Sequence, residues 1–318
     1  PQDETVLVRN PNYWGEQPYF DRVIIVNIAE AATQKVALQS GDIDLATDLT
    51  PDQMPDLEGN ADISIFLGAG RWTHFLLMNR DPEIGGPMAD ENVALAVRYA
   101  LDYEGYRDLW QGSVTPGTNM WVGLAGAYGQ DKAFERDLDK AKELLAEAGY
   151  PDGFEVTLSY PDLTWTGVSL STNAQKIQAD LAEVGIVVSL NPGEVQVSLE
   201  EYRNGQQGFG YWFWGPDKLD PVDMLEFLPG GKVGTERTKW AEDMVAQEVL
   251  DLIASAKQAT DPSARLEIFN QLQDYLQESG PFAPFSVPAV QTAYRSDLEG
   301  YVWHPQWGMD VALLSRSE

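Results

Sequence analysis

Apolar positions along the chain follow two rhythms: short continuous or every-second runs that mark strands, and i, i+3, i+4 stripes that mark helices. Residues 23–28 read as a buried strand, and a helix over 30–39 follows and stops at Gly41. Two more strands are expected at 63–67 and 73–78. Asp90 is placed to cap a helix with Val93, Val97, Ala100 and Leu101 on one face. Asp137 opens another, with Ala141, Leu144, Leu145 and Ala148 inward and Gly149 as its terminator. Late in the chain Val245, Val249, Leu252 and Ala256 form one stripe, and Leu266, Phe269, Leu272 and Leu276 another, started by Asp261-Pro262. Pro281, Pro284 and Pro288 then predict that any strand there is at an edge or broken. Alternation of strands and helices defines an α/β protein.

The middle of the chain is the most informative. Phe154, Val156 and Leu158 alternate as a strand, Ala174, Ile177, Leu181 and Val184 mark a helix, and 186–190 is the next strand. A short helix at 197–203 leads to a third strand at 209–214. This βαβαβ order predicts right-handed crossovers and parallel pairing. Ligands of such sheets bind outside the carboxyl ends of the strands, which selects the loops 160–167, 191–196 and 214–221. The first carries Trp165, the second Glu194 and Gln196, the third Trp214, Asp217 and Asp220. Aromatic faces beside a few carboxylates and amides suit a polar organic solute. Alternation puts Trp212 and Trp214 on one face of the strand and Tyr211 and Phe213 on the other. Asp220, just before Pro221, fits the role of a helix cap, which leaves Asp217 available as a ligand carboxylate.

Composition narrows the chemistry. Among 318 residues, 43% hydrophobic, there are 50 Asp and Glu against 21 Lys and Arg, a formal charge of −29. Such a surface repels phosphate backbones and anionic membranes, so nucleic acid is not an expected partner. No apolar run approaches the roughly 20 residues that span a bilayer. Cysteine is absent and there are two histidines, His74 and His304. Thiol nucleophiles, disulfides and multi-histidine metal sites are thereby excluded, and a Ser-His-Asp triad would need one of those two. Both histidines read as satisfied strand residues. Neither a phosphate-binding G-x-x-x-x-G-K-[ST] loop nor a G-x-G-x-x-G fingerprint occurs. No cofactor is called for.

Several segments resemble one family in order along the chain: "RNPNYWG" at 9–15, "LQSGDIDLA" at 38–46, "DENVALAVRYALD" at 90–102, "DLDKAKELLAEAGYPDG" at 137–153, "WGPDKLDP" at 214–221 and "DPSARLEIFNQLQDYLQESGPFAPF" at 261–285. They resemble the family 5 extracellular solute-binding proteins, the dipeptide-, oligopeptide- and nickel-binding components of ABC importers. The resemblance implies a two-lobed, class II periplasmic-binding-protein-like fold and a periplasmic or extracytoplasmic monomer that delivers a small solute to an ABC permease. It also implies a longer N-terminal segment in such proteins, so that residues 72–288 are expected as a nearly complete lobe II, with 1–71 and 289–318 as a partial lobe I. Solute would be trapped between the lobes. Carried over by position, Asp217 falls where peptide-binding relatives pair a carboxylate with a ligand ammonium. Trp214 is the adjacent aromatic, Trp72 lies at the first crossing between lobes, and Trp165 and Gln196 are in loops lining the cleft. Tyr211 departs from the oligopeptide-binding pattern, which has an Arg there; Arg203 is the alternative source of that charge.

Three readings follow. The first is a binding protein for a peptide or another amine-bearing solute, supported by Asp217 and the Trp-rich loops. The second is a binding protein for an oligosaccharide or opine-like compound stacked on indoles. The third is a hydrolase using a carboxylate pair, which 50 acidic residues would generate by chance.

Overall fold

The computed structural model describes residues 4–112, 114–165, 168–304 and 308–317; of 114–116 only the backbone is described. By its contacts the chain forms two units, one of residues 1–70, 165–168 and 289–318, the other of 71–164 and 169–288.

In the first unit β1 (Glu4–Val8) and β2 (Arg22–Val26) pair antiparallel, from Glu4 opposite Val26 to Val8 opposite Arg22. The strand expected to be buried at 23–28 is instead exposed: Ile24 and Ile25 keep 49% and 51% of their surface. A two-stranded ribbon turns both faces outward unless another layer covers it. Helix α1 (Ala31–Ser40) ends at Gly41, whose φ of 83° lets its N–H turn back to the Leu38 carbonyl. Two strands, β3 (Leu45–Ala46) and β4 (Ile63–Gly68), flank the returning strand Val290–Arg295 on either side, both antiparallel. Leu38, Ala46, Leu49, Leu57, Ile63 and Ala293 close a small core beneath them.

The second unit is built on six strands. These are β5 (Thr73–Met78), β6 (Val114–Pro116), β7 (Phe154–Pro161), β10 (Ile186–Gly193), β11 (Phe209–Trp214) and β12 (Phe282–Pro288), in the order β10-β7-β11-β5-β12-β6. Two short strands, β8 (Thr164–Trp165) and β9 (Val168–Ser169), stand outside that sheet. The βαβαβ segment pairs β10, β7 and β11 in parallel, while β5, β12 and β6 continue the sheet antiparallel.

The helices of this unit are α2 (Pro82–Gly85), α3 (Glu91–Ala100), α4 (Tyr103–Leu109), α5 (Leu138–Glu147), α6 (Leu170–Ala182), α7 (Val195–Arg203), α8 (Gln247–Gln258) and α9 (Pro262–Ser279). Their starts follow the capping chemistry. Asp90 accepts from the N–H of Asn92 at 2.8 Å, Asp137 from that of Lys140 at 2.9 Å, and Asp261 from that of Ala264 at 2.9 Å. Val93, Val97, Ala100 and Leu101 are fully buried, as the stripe predicts. Val245 lies ahead of α8, whose buried residues are Ile253 and Ala256.

Strand β12 runs inside the sheet between β5 and β6, so of the two outcomes its prolines predict it takes the broken one and not the edge. Proline lacks the N–H that an interior strand donates, and the chain accommodates this with a register shift between Pro284 and Ser286 and with Pro288 as the last residue. No described helix is long and apolar enough to cross a membrane.

Candidate functional site

Strand β11 pairs antiparallel with β5, with Trp214 opposite Thr73. The chain leaving β11 at Gly215 therefore passes the residues that enter β5, Arg71 and Trp72. The approach is close: a Cβ at Gly215 would lie 3.0 Å from Cδ2 of Trp72, so a larger residue there would push the indole aside. Trp72 is half-buried and meets the ring of Phe213 edge-on at 5.9 Å. The Arg71 guanidinium lies 5.1 Å over the Trp72 ring, and its Nη1 donates to the Pro216 carbonyl at 2.6 Å. Burial lowers the Arg71 pKa, and the negative charge of Asp217 opposes that shift.

Asp217 itself is exposed. Its backbone N–H donates to Oδ2 of Asp223 at 2.6 Å, and the N–H of Lys218 reaches the same oxygen at 3.4 Å. Asp223 is buried, its side chain 8% exposed, so this carboxylate holds the loop from beneath. Asp220 caps the 3-10 turn Pro221–Phe227 through the N–H of Val222 at 2.8 Å and pairs with Arg265 at 2.5 Å. Asp220 is thus the helix cap that its place before Pro221 predicts.

Trp214 is half-buried. It meets Phe227 edge-on at 5.5 Å and lies under the Arg237 guanidinium at 5.1 Å. Arg237, 7% exposed, is also 4.6 Å over Tyr202, which in turn stacks on Trp212 at 4.4 Å. A ladder of aromatic rings and one buried cation thus supports the Trp214 indole from behind. Burial raises the Tyr202 hydroxyl pKa, against the pull of Arg237.

The other sequence candidates are elsewhere. Tyr211 is not a ligand contact: it is fully buried, its hydroxyl 2.7 Å from Nδ1 of His74 and accepting from Nδ2 of Asn173 at 2.9 Å. The reason is the alternation of the strand, which turns Tyr211 onto the face covered by Tyr106 and Phe285 and away from the Trp214 face. His74 is a core residue, its pKa pushed down by burial to about 3. Glu194 caps α7, accepting from the N–H groups of Gln196 and Val197 at 3.0 Å each. Gln196 and Arg203 are exposed, Arg203 in the last turn of the same helix. Trp165, half-buried, ends β8 and belongs by contacts to the first unit; Thr166 and Gly167 of that loop lie outside the described residues.

Of the predicted residues, then, Trp72, Trp214 and Asp217 lie at one end of β5 and β11, Trp72 against Phe213 and Gly215 and Trp214 on the other face against Phe227. Arg71, Asp223 and Arg237 join them without having been anticipated. Arg71 adjoins Trp72 in sequence, but its place beside Asp217 depends on a strand pairing across 140 residues that periodicity does not encode. Among the described residues no group of three or more His, Cys, Asp or Glu could hold a metal ion.

The fold of the chain is found among known structures. A periplasmic binding protein, DppA from Helicobacter pylori in complex with the peptide STSA, matches at a TM-score of 0.82 and 25% identity, over 99% of this chain and 61% of that one. AgaA of A. tumefaciens R10 in complex with agropinic acid matches at 0.84 and 24%, over 99% and 65%. The fold is that of the periplasmic binding proteins. The family model for bacterial extracellular solute-binding proteins, family 5 Middle, matches residues 1–235, and the chain belongs to that family. A curated relative, the probable D,D-dipeptide-binding periplasmic protein DdpA of Escherichia coli K12, is 24% identical over 316 residues, 95% of this chain and 57% of its own length. The chain spans a little over half the length of such relatives.

Proposed function

We propose that the protein is the substrate-binding component of an ABC importer and that it captures a peptide or another amine-bearing solute outside the cytoplasm. Asp217 receives the solute ammonium, and Trp72 and Trp214 supply apolar faces beside it. Gln196 contributes a further contact from its loop. The protein works as a monomer with an ABC permease as its partner, needs no cofactor and performs no chemistry on the solute. The two units correspond to a partial lobe I and a nearly complete lobe II.

The observation that carries this reading is the grouping at the end of β11: an exposed carboxylate, Asp217, on a loop held by Asp223, with the Trp72 indole against the same loop at Gly215. A rigidly mounted carboxylate is what an ammonium needs, because a charge-assisted hydrogen bond in a partly dried site resists competition from water. The peptide bound by H. pylori DppA supports the same class.

A second reading has its own support, since AgaA matches at a TM-score of 0.84 and holds agropinic acid. An opine- or sugar-like solute would rely on the indole faces more than on Asp217. Replacing Asp217 with Asn separates the two. Calorimetric titration of an amine-bearing solute should show a loss of about 2–5 kcal/mol, whereas a solute without an ammonium should lose much less. Equal affinity of wild type and Asp217→Asn for every amine-bearing solute would remove the first reading. Turnover of a peptide or glycoside by the purified protein would contradict the absence of catalysis.

A further inference from the structure

We infer that a compact monovalent anion such as chloride binds behind the Trp214 indole, received by the guanidinium of Arg237 and the indole N–H. The inference goes beyond the solute-binding reading and does not depend on it. Three observations carry it.

First, Arg237 is a buried cation without a counter-charge. It is 7% exposed and, among the described residues, pairs with no carboxylate, although the chain has 50 Asp and Glu. It faces the ring of Tyr202 at 4.6 Å and that of Trp214 at 5.1 Å, and it acts on the Tyr202 hydroxyl. Ring faces answer part of the charge, and one hydroxyl takes one of five guanidinium donors. A cation so far from water is costly until an opposite charge meets it.

Second, the neighbouring polar group is also a donor. Nε1 of Trp214 is buried and, among the described residues, has no hydrogen-bond partner. Indole and guanidinium both donate and neither accepts, and the two groups are close enough for one acceptor to serve both. An anion satisfies both donors and the charge together, whereas a neutral acceptor leaves the charge unanswered.

Third, the mount is fixed and locally positive. Arg237 ends the π-helical turn Lys232–Arg237, in which the Gly234 carbonyl accepts from the Thr238 hydroxyl at 2.7 Å and from the Trp240 N–H at 2.9 Å. Such turns recur at functional sites. Arg203 adds a second positive charge that acts with Arg237 on the Tyr202 hydroxyl. On a chain with a formal charge of −29 an anion is repelled at long range, so the expected affinity is weak, on the order of millimolar. If Arg237 were only a pillar between two rings, with water on its remaining donors, chloride would show no preference for it.

The test is chloride magnetic resonance on the solute-free protein, in which ions exchanging with a slowly tumbling site broaden the chloride line. Wild type is compared with Arg237→Met, Trp214→Phe and, as a control, Lys232→Gln, an exposed cation on the same turn. Circular dichroism and cooperative melting report whether each variant folds. Wild type should show excess width that added sodium acetate displaces. Arg237→Met should weaken chloride at least about 10-fold, and Trp214→Phe, which keeps a ring without the N–H, about 10-fold. Lys232→Gln should retain the full excess width.

No excess width in wild type, or equal width in wild type and folded Arg237→Met, overturns the site. Should Arg237→Met fail to fold, Trp214→Phe decides, and an unchanged width there overturns the site as well. Loss of the excess in Lys232→Gln would mark diffuse attraction to surface cations and overturns it too.

Discussion

A histidine and a tyrosine buried on the reverse face of β11 show what single residues contribute apart from ligand contact. His74, Tyr211, Asn173 and Trp110 form a hydrogen-bonded chain: Nδ1 of His74 to the Tyr211 hydroxyl, Nδ2 of Asn173 to the same oxygen, and Nε1 of Trp110 to Oδ1 of Asn173 at 3.1 Å. Burial holds the His74 pKa near 3, below the ordinary 6.5, so the native state keeps the imidazole neutral. The unfolded chain takes up a proton as pH falls through 6.5 and the folded chain does not, so stability is lost on acidification between 6.5 and 3. At pH 5 the loss from this group is about 2 kcal/mol, and the slope should end below pH 3. Urea unfolding of wild type and His74→Gln across that range checks it. The variant should lose this component of the pH dependence whatever its stability at neutral pH. Sequence alone marked His74 as a satisfied strand histidine but could not reveal Tyr211 as its partner. The two are paired across 137 residues by strands that pattern alone does not join.

At the scale of elements, Arg98 shows how helix ends are secured. It lies in the last turn of α3, is 1% exposed, and its guanidinium donates to carbonyls at the C-terminus of α9 and beyond: Gln277, Gly280, Leu276 at 3.4 Å and Phe282 at 2.7 Å. The Leu276 carbonyl also accepts the N–H of Gly280 at 3.0 Å, and a cation at this end of α9 suits the helix dipole. Burial pulls the Arg98 pKa down to about 10, still above neutrality, so the cation persists. Arg98→Met should leave several buried carbonyls unsatisfied and lower the unfolding free energy by about 3 kcal/mol or more, measured by chemical denaturation. The elements were largely legible from pattern: β5 and β11 have their expected bounds, and the Asp caps lie where composition puts them. What pattern left open shares a cause. Exposure of β2 and the interior place of β12 depend on which layers and strands become neighbours, and neither is encoded in local periodicity. The site was read in the same proportion. Trp214 and Asp217 follow from the end of a strand, while Arg71 and Asp223 belong to it through tertiary contact alone.

For the whole molecule, the two units differ in how much apolar surface each encloses. The second closes a large core around Phe75, Phe227, Phe269 and Phe282, whereas the first closes a small one and leaves Val6, Leu7, Ile24 and Ile25 more than a third exposed. Opening free energy follows buried apolar contact, so hydrogen exchange should be fastest in β1 and β2 and slowest in β5, β11 and β12. Mass-resolved exchange at neutral pH reads this directly, and uniform protection across both units would contradict it. The way the chain enters and leaves the second unit has a practical corollary. Gly68 and Val290 face each other in the ladder of the first unit, so the 221 intervening residues depart and return at adjacent points. Replacing them with a two-residue Asn-Gly turn would convert β4 and its neighbour into an ordinary hairpin. Apart from residues 165–168, which group with the first unit, the excised stretch is essentially the larger unit, and the junction is a natural place to splice in a reporter.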